Sequence, residues 1–153
     1  MSRDPRGTDR DSAGVGRLLA LLGAVLVPWT AFFTGDFVFA WGLVSADPFH
    51  VTTLPDYLYV HTAGLPDRLL AWPVAVLLYL LAVGSATLGT LVGPRWEDRR
   101  VTGGLLVLAG ASDLWFSLGM ARGGSAVIPS GTLALWTLAW WFHWSDLRNA
   151  LWR

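Results

Sequence analysis

Cysteine is absent from the 153-residue chain. That excludes disulfide staples, thiolate catalysis, iron–sulfur clusters and cysteine-ligated zinc, and it leaves the redox compartment unreadable. Lysine is absent too: all eleven basic residues are arginine, and the acids are ten aspartates and one glutamate, Glu97. The bias has no structural cause and is associated with GC-rich, salt-adapted genomes. Formal net charge is zero. Without a basic excess there is no electrostatic footprint for nucleic acid, and no such partner is expected. Also missing are a serine elbow, a phosphate loop, an H-E-x-x-H zinc motif and a paired catalytic carboxylate. No catalytic residue, metal site or cofactor is expected.

Apolar residues, by contrast, are abundant. Hydrophobic residues make up 54% of the chain, and ten residues are tryptophan. Such a balance suits a lipid-solvated chain better than a water-soluble domain of this length. Residues 1–16 are rich in Arg, Asp, Gly and Ser and read as a disordered cytoplasmic tail. Residues 17–153 then read as one domain with four apolar runs. Leu18–Phe33 is longer than a signal-peptide core, lacks a small-residue cleavage site, and reads as a retained helix kinked at Pro28. Leu69–Val92, Val101–Met120 and Ala126–Trp144 each approach or exceed the ~20 residues that a membrane crossing requires. The expected fold is therefore all-α: four transmembrane helices in an antiparallel up-down bundle.

Orientation follows from the arginines. With both termini cytoplasmic, the inner segments hold nine of them (Arg3, Arg6, Arg10, Arg17, Arg95, Arg99, Arg100, Arg148, Arg153), and the outer segments hold only Arg68 and Arg122. Trp96, Trp141 and Trp144 then fall at the inner interface and Trp72 at the outer one. The segment Thr34–Asp67 is a long outer loop. Within it, Phe37–Val44 alternates too poorly to settle strand against helix. A short interfacial helix is expected at Leu54–Thr62, with Thr53 as cap and Gly64 as stop.

Asp113 is the main chemical candidate, because a carboxylate at that depth costs about 3 kcal/mol on the lenient insertion scale. Tyr79 and Thr132 lie near the same level on the neighbouring helices. Two readings follow: a proton or cation relay, or an acid hydrogen-bonded to Tyr79 or Thr132 that helps helices pack. A relay needs a second ionisable group and none is evident, so packing is preferred. Trp136, Trp140 and Trp144 form a stripe beside His143. A haem would need a second histidine at matched depth, and His50 and His61 lie outside, so the stripe reads as an interface belt. His50 and His61 share the loop with Asp47, Asp56 and Asp67 but lack metal-ligand spacing. Ser85, Gly89 and Gly93, with Gly119 and Gly123, are small residues spaced for close helix packing within the chain or in a homo-oligomer.

Leu54-Pro55-Asp56-Tyr57-Leu58, the stretch from Gly64 to Pro73, Glu97-Asp98-Arg99-Arg100-Val101-Thr102 and Trp140-Trp141-Phe142-His143-Trp144 together resemble a family of small haloarchaeal membrane proteins of unknown function. The resemblance implies membrane location and a haloarchaeal source, and brings no functional residue. Two functions are thus expected of the sequence. One is a non-enzymatic scaffold or accessory subunit with the lipid bilayer and a membrane protein or second copy as partners. The other is a small ion- or proton-coupled transporter built on Asp113.

Overall fold

The computed structural model describes residues 5–60, 67–93, 95–124 and 126–151. They form, in order, α1 (Pro5–Gly23), β1 (Thr30–Phe32), β2 (Asp36–Val38), β3 (Gly42–Ala46), β4 (Phe49–Thr53), α2 (Leu54–Val60), α3 (Asp67–Leu91), α4 (Arg99–Arg122), β5 (Val127–Ile128) and α5 (Ser130–Leu151). The all-α four-span bundle is overturned. Among the described residues five helices accompany a five-stranded antiparallel sheet, ordered β4-β3-β2-β1-β5. Among the described residues two helices, α3 and α4, are long and apolar enough to cross a membrane; the apolar part of α1 is only Gly14–Gly23.

The expected helix Leu18–Phe33 fails in its second half. The α1 helix stops at Gly23, five residues before Pro28, and closes with tight turns in which Ala24, Val25 and Leu26 N–H groups donate to the Leu21, Leu22 and Gly23 carbonyls. Two side chains secure this end: Tyr79 Oη donates to Leu21 O (2.6 Å) and Trp29 Nε1 to Ala24 O (3.0 Å). A helix end without such partners would leave buried carbonyls unpaired, at a cost comparable to a lost hydrogen bond each. At its other end α1 begins at Pro5, inside the segment read as a disordered tail. Proline suits the first helical position, and the apolar turns from Gly14 onward let the helix extend backward at little cost.

The segment read as the outer loop is mostly a β-meander. Thr30 pairs with Val38, Phe37 with Val44, and Val44 with Val51. Each reversal is short. Gly35 supplies a positive φ of 94° in the first, which most side chains avoid. Phe39 N–H donates to Gly42 O (2.7 Å) across the second, and Asp47–Pro48 makes the third. The first residues of the expected fourth helix, Ala126–Trp144, are instead β5, which adds to β1 through Ala31–Ile128 and Phe32–Val127, and α5 begins only at Ser130. Thr53 Oγ1 donates to Asp56 Oδ2 (2.7 Å) and accepts the Asp56 N–H (3.4 Å), closing a reciprocal cap at the start of α2. The final residues of the expected Leu54–Thr62 helix, with Gly64, lie outside the described residues.

The α3, α4 and α5 helices pack together, and the sheet docks where α3 starts, α4 ends and α5 starts. Trp72, 1% exposed, donates its indole N–H to Phe39 O (3.1 Å) and so ties the sheet to α3. Tyr57 of α2 packs edge-on against Trp72, and burial pushes its phenol pKa up. The core runs through Leu21, Trp29, Tyr79, Leu106, Phe116 and Leu135.

Gly131, at the start of α5, has no room for a side chain. A Cβ there would lie 2.6 Å from Trp29 Cα, and the Gly131 N–H donates to Trp29 O (2.7 Å). Gly131→Ala is expected to lower stability by about 1–3 kcal/mol, the usual cost of forcing atoms into a packed site, read as an earlier thermal transition in detergent.

Candidate functional site

Asp113 is fully buried, 0% exposed, on the inward face of α4. Thr132 Oγ1 lies 3.0 Å from its Oδ2 and Thr30 Oγ1 lies 3.4 Å from its Oδ1. Thr30 is in turn 2.7 Å from Ser117 Oγ, one turn further along α4. The Thr132 backbone N–H also donates to the carboxylate. Thr132 is the third residue of α5, so Asp113 caps the first turn of a neighbouring helix, where open N–H groups and the positive end of the helix dipole favour an oxygen acceptor. Two further donors of that turn are taken: Gly131 N–H by Trp29 O, Leu133 N–H by Pro129 O (3.3 Å). Ser130 Oγ adds a bond to Pro28 O (2.6 Å). One carboxyl group thus joins α4, α5 and β1.

Of the expected partners the structure brings Thr132 to Asp113 and not Tyr79, whose hydroxyl is committed to Leu21 O and whose ring lies edge-on to Trp29 (5.4 Å). Thr30 and Ser117 were missed. Ser117 was legible as an i+4 neighbour on the same helix face; Thr30 was hidden inside a segment read as helix.

A second buried polar group lies at the opposite end of α4. The Arg17 guanidinium pairs with the Glu97 carboxylate, their side chains 8% and 5% exposed. Thr102 Oγ1 lies 3.5 Å from Glu97 Oε1 and 2.8 Å from Ser85 Oγ. Arg17 Nε, among the described side chains, has no hydrogen-bond partner. Nearby, Asp98 caps α4 by accepting the Arg100 N–H (3.0 Å). In the sequence Arg17 served only as a topology signal, and Glu97 stood in a loop of local charges with no long-range partner assigned. Thr102 and Asp113 are eleven residues apart on one helix, about 16 Å at 1.5 Å per residue. Leu106 and Ala109, each 0% exposed, fill the face between them. The two polar clusters are therefore separate.

The packing residues divide. Ser85 touches α4 through Thr102, and Gly89 faces the Glu97 side chain, which a Cβ would strike. Gly119 is buried in α4. Gly93 lies past the end of α3 with φ 134°, and Gly123 is the C-cap of α4. Gly110, not singled out, accepts the Trp136 indole against its backbone, and that indole donates to Val107 O (3.1 Å). Trp140, Trp141 and Trp144 are exposed; His61 and the side chains of His143 and Asp67 lie outside the described residues. Among the described residues no three metal-ligating side chains come together. An apolar crevice of about 370 Å³ between α1 and α5, lined by Ala20, Gly23, Ala24, Val27, Leu133 and Leu138, brings no titratable group together.

These features define a mixed helix-and-sheet protein, pinned by two buried polar clusters, with two helices of membrane-crossing length and hydrophobicity. The chain belongs to the DUF8050 family, a domain of unknown function, matched over residues 2–153. No curated protein matches it.

Proposed function

We propose that this chain is an integral membrane protein anchored by α3 and α4 as an antiparallel hairpin, and that it works there as a non-enzymatic scaffold or accessory subunit. The observation that carries the reading is the outward face of its helices. Only 39% of each apolar stretch in α3 and α4 is buried within the chain, whereas the core helix of a soluble protein is mostly buried. Leu70, Val74, Leu77, Leu81 and Leu88 are exposed in a row down α3, and Val101, Leu108, Trp115 and Leu118 down α4. Unbroken apolar surface of this extent is tolerated in lipid and is an aggregation liability in water.

The cytoplasmic side is the end carrying the α3–α4 loop. Arg17 reaches Glu97, so the middle of α1 lies at that end, and α5 runs antiparallel to α4 through the Trp136–Val107 contact, so its end does too. Among the described residues the segments at that end carry seven arginines (Arg6, Arg10, Arg17, Arg95, Arg99, Arg100, Arg148) against Arg68 and Arg122 at the other, and the positive-inside rule assigns the richer end to the cytoplasm. A non-enzymatic role rests on the site itself. The Asp113 oxygens are taken up by α5 and β1, and apolar Leu106 and Ala109 interrupt any path to Glu97.

The absence of native cysteine gives a clean test. Cysteine placed at Asp47, in the β3–β4 turn, is expected to react with an impermeant maleimide on intact cells. Cysteine at Arg95 is expected to react only after permeabilisation. Complete extraction of the chain by alkaline carbonate, or equal labelling at both sites, would overturn the membrane reading. Affinity capture from native membranes is expected to return a stoichiometric partner protein; recovery of the chain without one, together with a purified catalytic activity, would overturn the accessory role.

A further inference from the structure

We propose that β4 pairs with β4 of a second copy of this chain, antiparallel about a two-fold axis at Val51, joining two five-stranded sheets into one. The argument starts from which way the backbone groups of β4 point. In an antiparallel ladder, successive residues direct their N–H and C=O alternately to one neighbour and the other. The Phe39 N–H bond to Gly42 O fixes the phase of β3: Gly42 and Val44 face β2, so Leu43 and Ser45 face β4. The Leu54 N–H bond to Trp41 O (2.9 Å) gives the same phase from the other side. Thr52 and His50, opposite Leu43 and Ser45, therefore spend their backbone groups on β3. Phe49 and Val51 direct theirs outward, as Thr53 does its N–H while its carbonyl serves the first turn of α2, and β4 is the edge of the sheet.

This edge is open in its side chains as well. Phe49 is 77% exposed and Val51 39% exposed. Sheet edges that must stay unpaired are usually guarded by a charge, a proline or a bulge. Phe49-His50-Val51-Thr52-Thr53 has none of these, and its five residues pair with β3 without interruption.

The strand is also its own complement. With Val51 opposite the second copy's Val51, Phe49 meets Thr53 and Thr53 meets Phe49. The Val51 pair then exchanges two N–H···O bonds, and each Thr53 N–H donates to the facing Phe49 carbonyl, four bonds in all. A shift by one residue sets outward groups against inward ones, and a shift by two leaves fewer pairs. No like charges meet, because His50 comes opposite Thr52. Phe49 and Val51 of both copies form one continuous apolar stripe. The pairing does not depend on the proposed membrane location, although an open edge is least tolerable close to lipid.

The register dictates the test, made on the purified full chain. Residues paired in this way have Cα atoms about 5.5 Å apart, within disulfide reach. Val51→Cys, the only cysteine in the chain, is expected to give a covalent dimer on mild oxidation. Phe49→Cys and Thr53→Cys chains are each expected to give no covalent dimer alone and to cross-link when mixed. Val51→Pro removes an N–H that points outward, so the sheet keeps its internal ladder; it is expected to convert the dimer to monomer in light scattering with an unchanged melting temperature. A wild-type chain that is monomeric, a Val51→Cys chain that fails to cross-link, or a dimer that survives Val51→Pro would each overturn the proposal. So would cross-linking of Val51→Cys in native membranes to another protein alone, which would assign the edge to a foreign strand.

Discussion

Asp113→Ala is expected to lower the free energy of unfolding by about 2–4 kcal/mol, and Asp113→Asn by about 1 kcal/mol. The asymmetry comes from what each change leaves unpaired. Alanine deprives the Thr132 N–H of its acceptor inside a site that water does not reach, and an orphaned buried donor costs about 1–3 kcal/mol. The vacated carboxyl volume adds to that. The hydroxyls suffer less: Thr132 Oγ1 has Gly110 O at 3.1 Å as a second acceptor, and Thr30 keeps Ser117. Asparagine retains one oxygen for the Thr132 N–H and turns its amide toward Thr30, whose hydroxyl accepts as readily as it donates. Thermal unfolding in detergent, followed by circular dichroism, gives the ranking. If Asp113→Asn proved as damaging as Asp113→Ala, the charge itself would be required and a purely structural carboxyl would be excluded. The same Asp113→Asn chain in proteoliposomes is expected to leave ion flux unaltered, because among the described residues its carboxyl meets only Thr30 and Thr132.

The depth of Asp113 was legible because a carboxylate inside an apolar run is costly enough to need an explanation. Thr132 was legible by counting depth along an antiparallel neighbour. That count failed for Tyr79, because it tracks height along the helices and not the direction a side chain takes. The tyrosine is drawn to the carbonyls that α1 exposes where it stops, and nothing in its own helix announces this. The buried ion pair was invisible for a related reason. Arg17 and Glu97 are eighty residues apart, and each reads as an ordinary interface charge until the fold brings them together.

The α3 and α4 helices emerged nearly whole from the apolar runs, because length and hydrophobicity suffice for helices of that kind. The sheet did not, although its signals were present. Residues 30–53 are rich in Thr, Val and Phe, and Thr34-Gly35-Asp36, Ala40-Trp41-Gly42 and Asp47-Pro48 punctuate them at hairpin spacing. They were overlooked because the run from Leu18 to Phe33 satisfies a helix by hydrophobicity alone. Pro28 then reads as a kink, whereas the helix has already ended at Gly23. Once Thr30–Phe32 was absorbed into a helix, the remaining strands had no first partner and could only be taken as loop.

Glu97→Ala is expected to be the most damaging single change away from Asp113, costing about 3–5 kcal/mol. The Arg17 side chain is 8% exposed and already leaves its Nε unpaired. Removing the only carboxylate shown to contact it strands a cation in a site with little water. Breaking one half of a buried pair carries a penalty of this size, whereas replacing both halves by apolar residues of similar volume is often neutral. The double variant Arg17→Met with Glu97→Leu is therefore expected to recover to within about 1 kcal/mol of the parent. Gly89 constrains the same site from the α3 side, since a Cβ there strikes Glu97; Gly89→Ala should weaken the pair without deleting either charge. Burial also predicts salt insensitivity, because counter-ions screen exposed pairs far more than buried ones. A double-mutant cycle run at low and high salt checks both points. A coupling energy below about 1 kcal/mol, the level of an exposed pair, or one that vanished at high salt, would show that Arg17 and Glu97 meet in solvent. The attachment of α1 to the α3–α4 loop would then have to rest on apolar contacts alone.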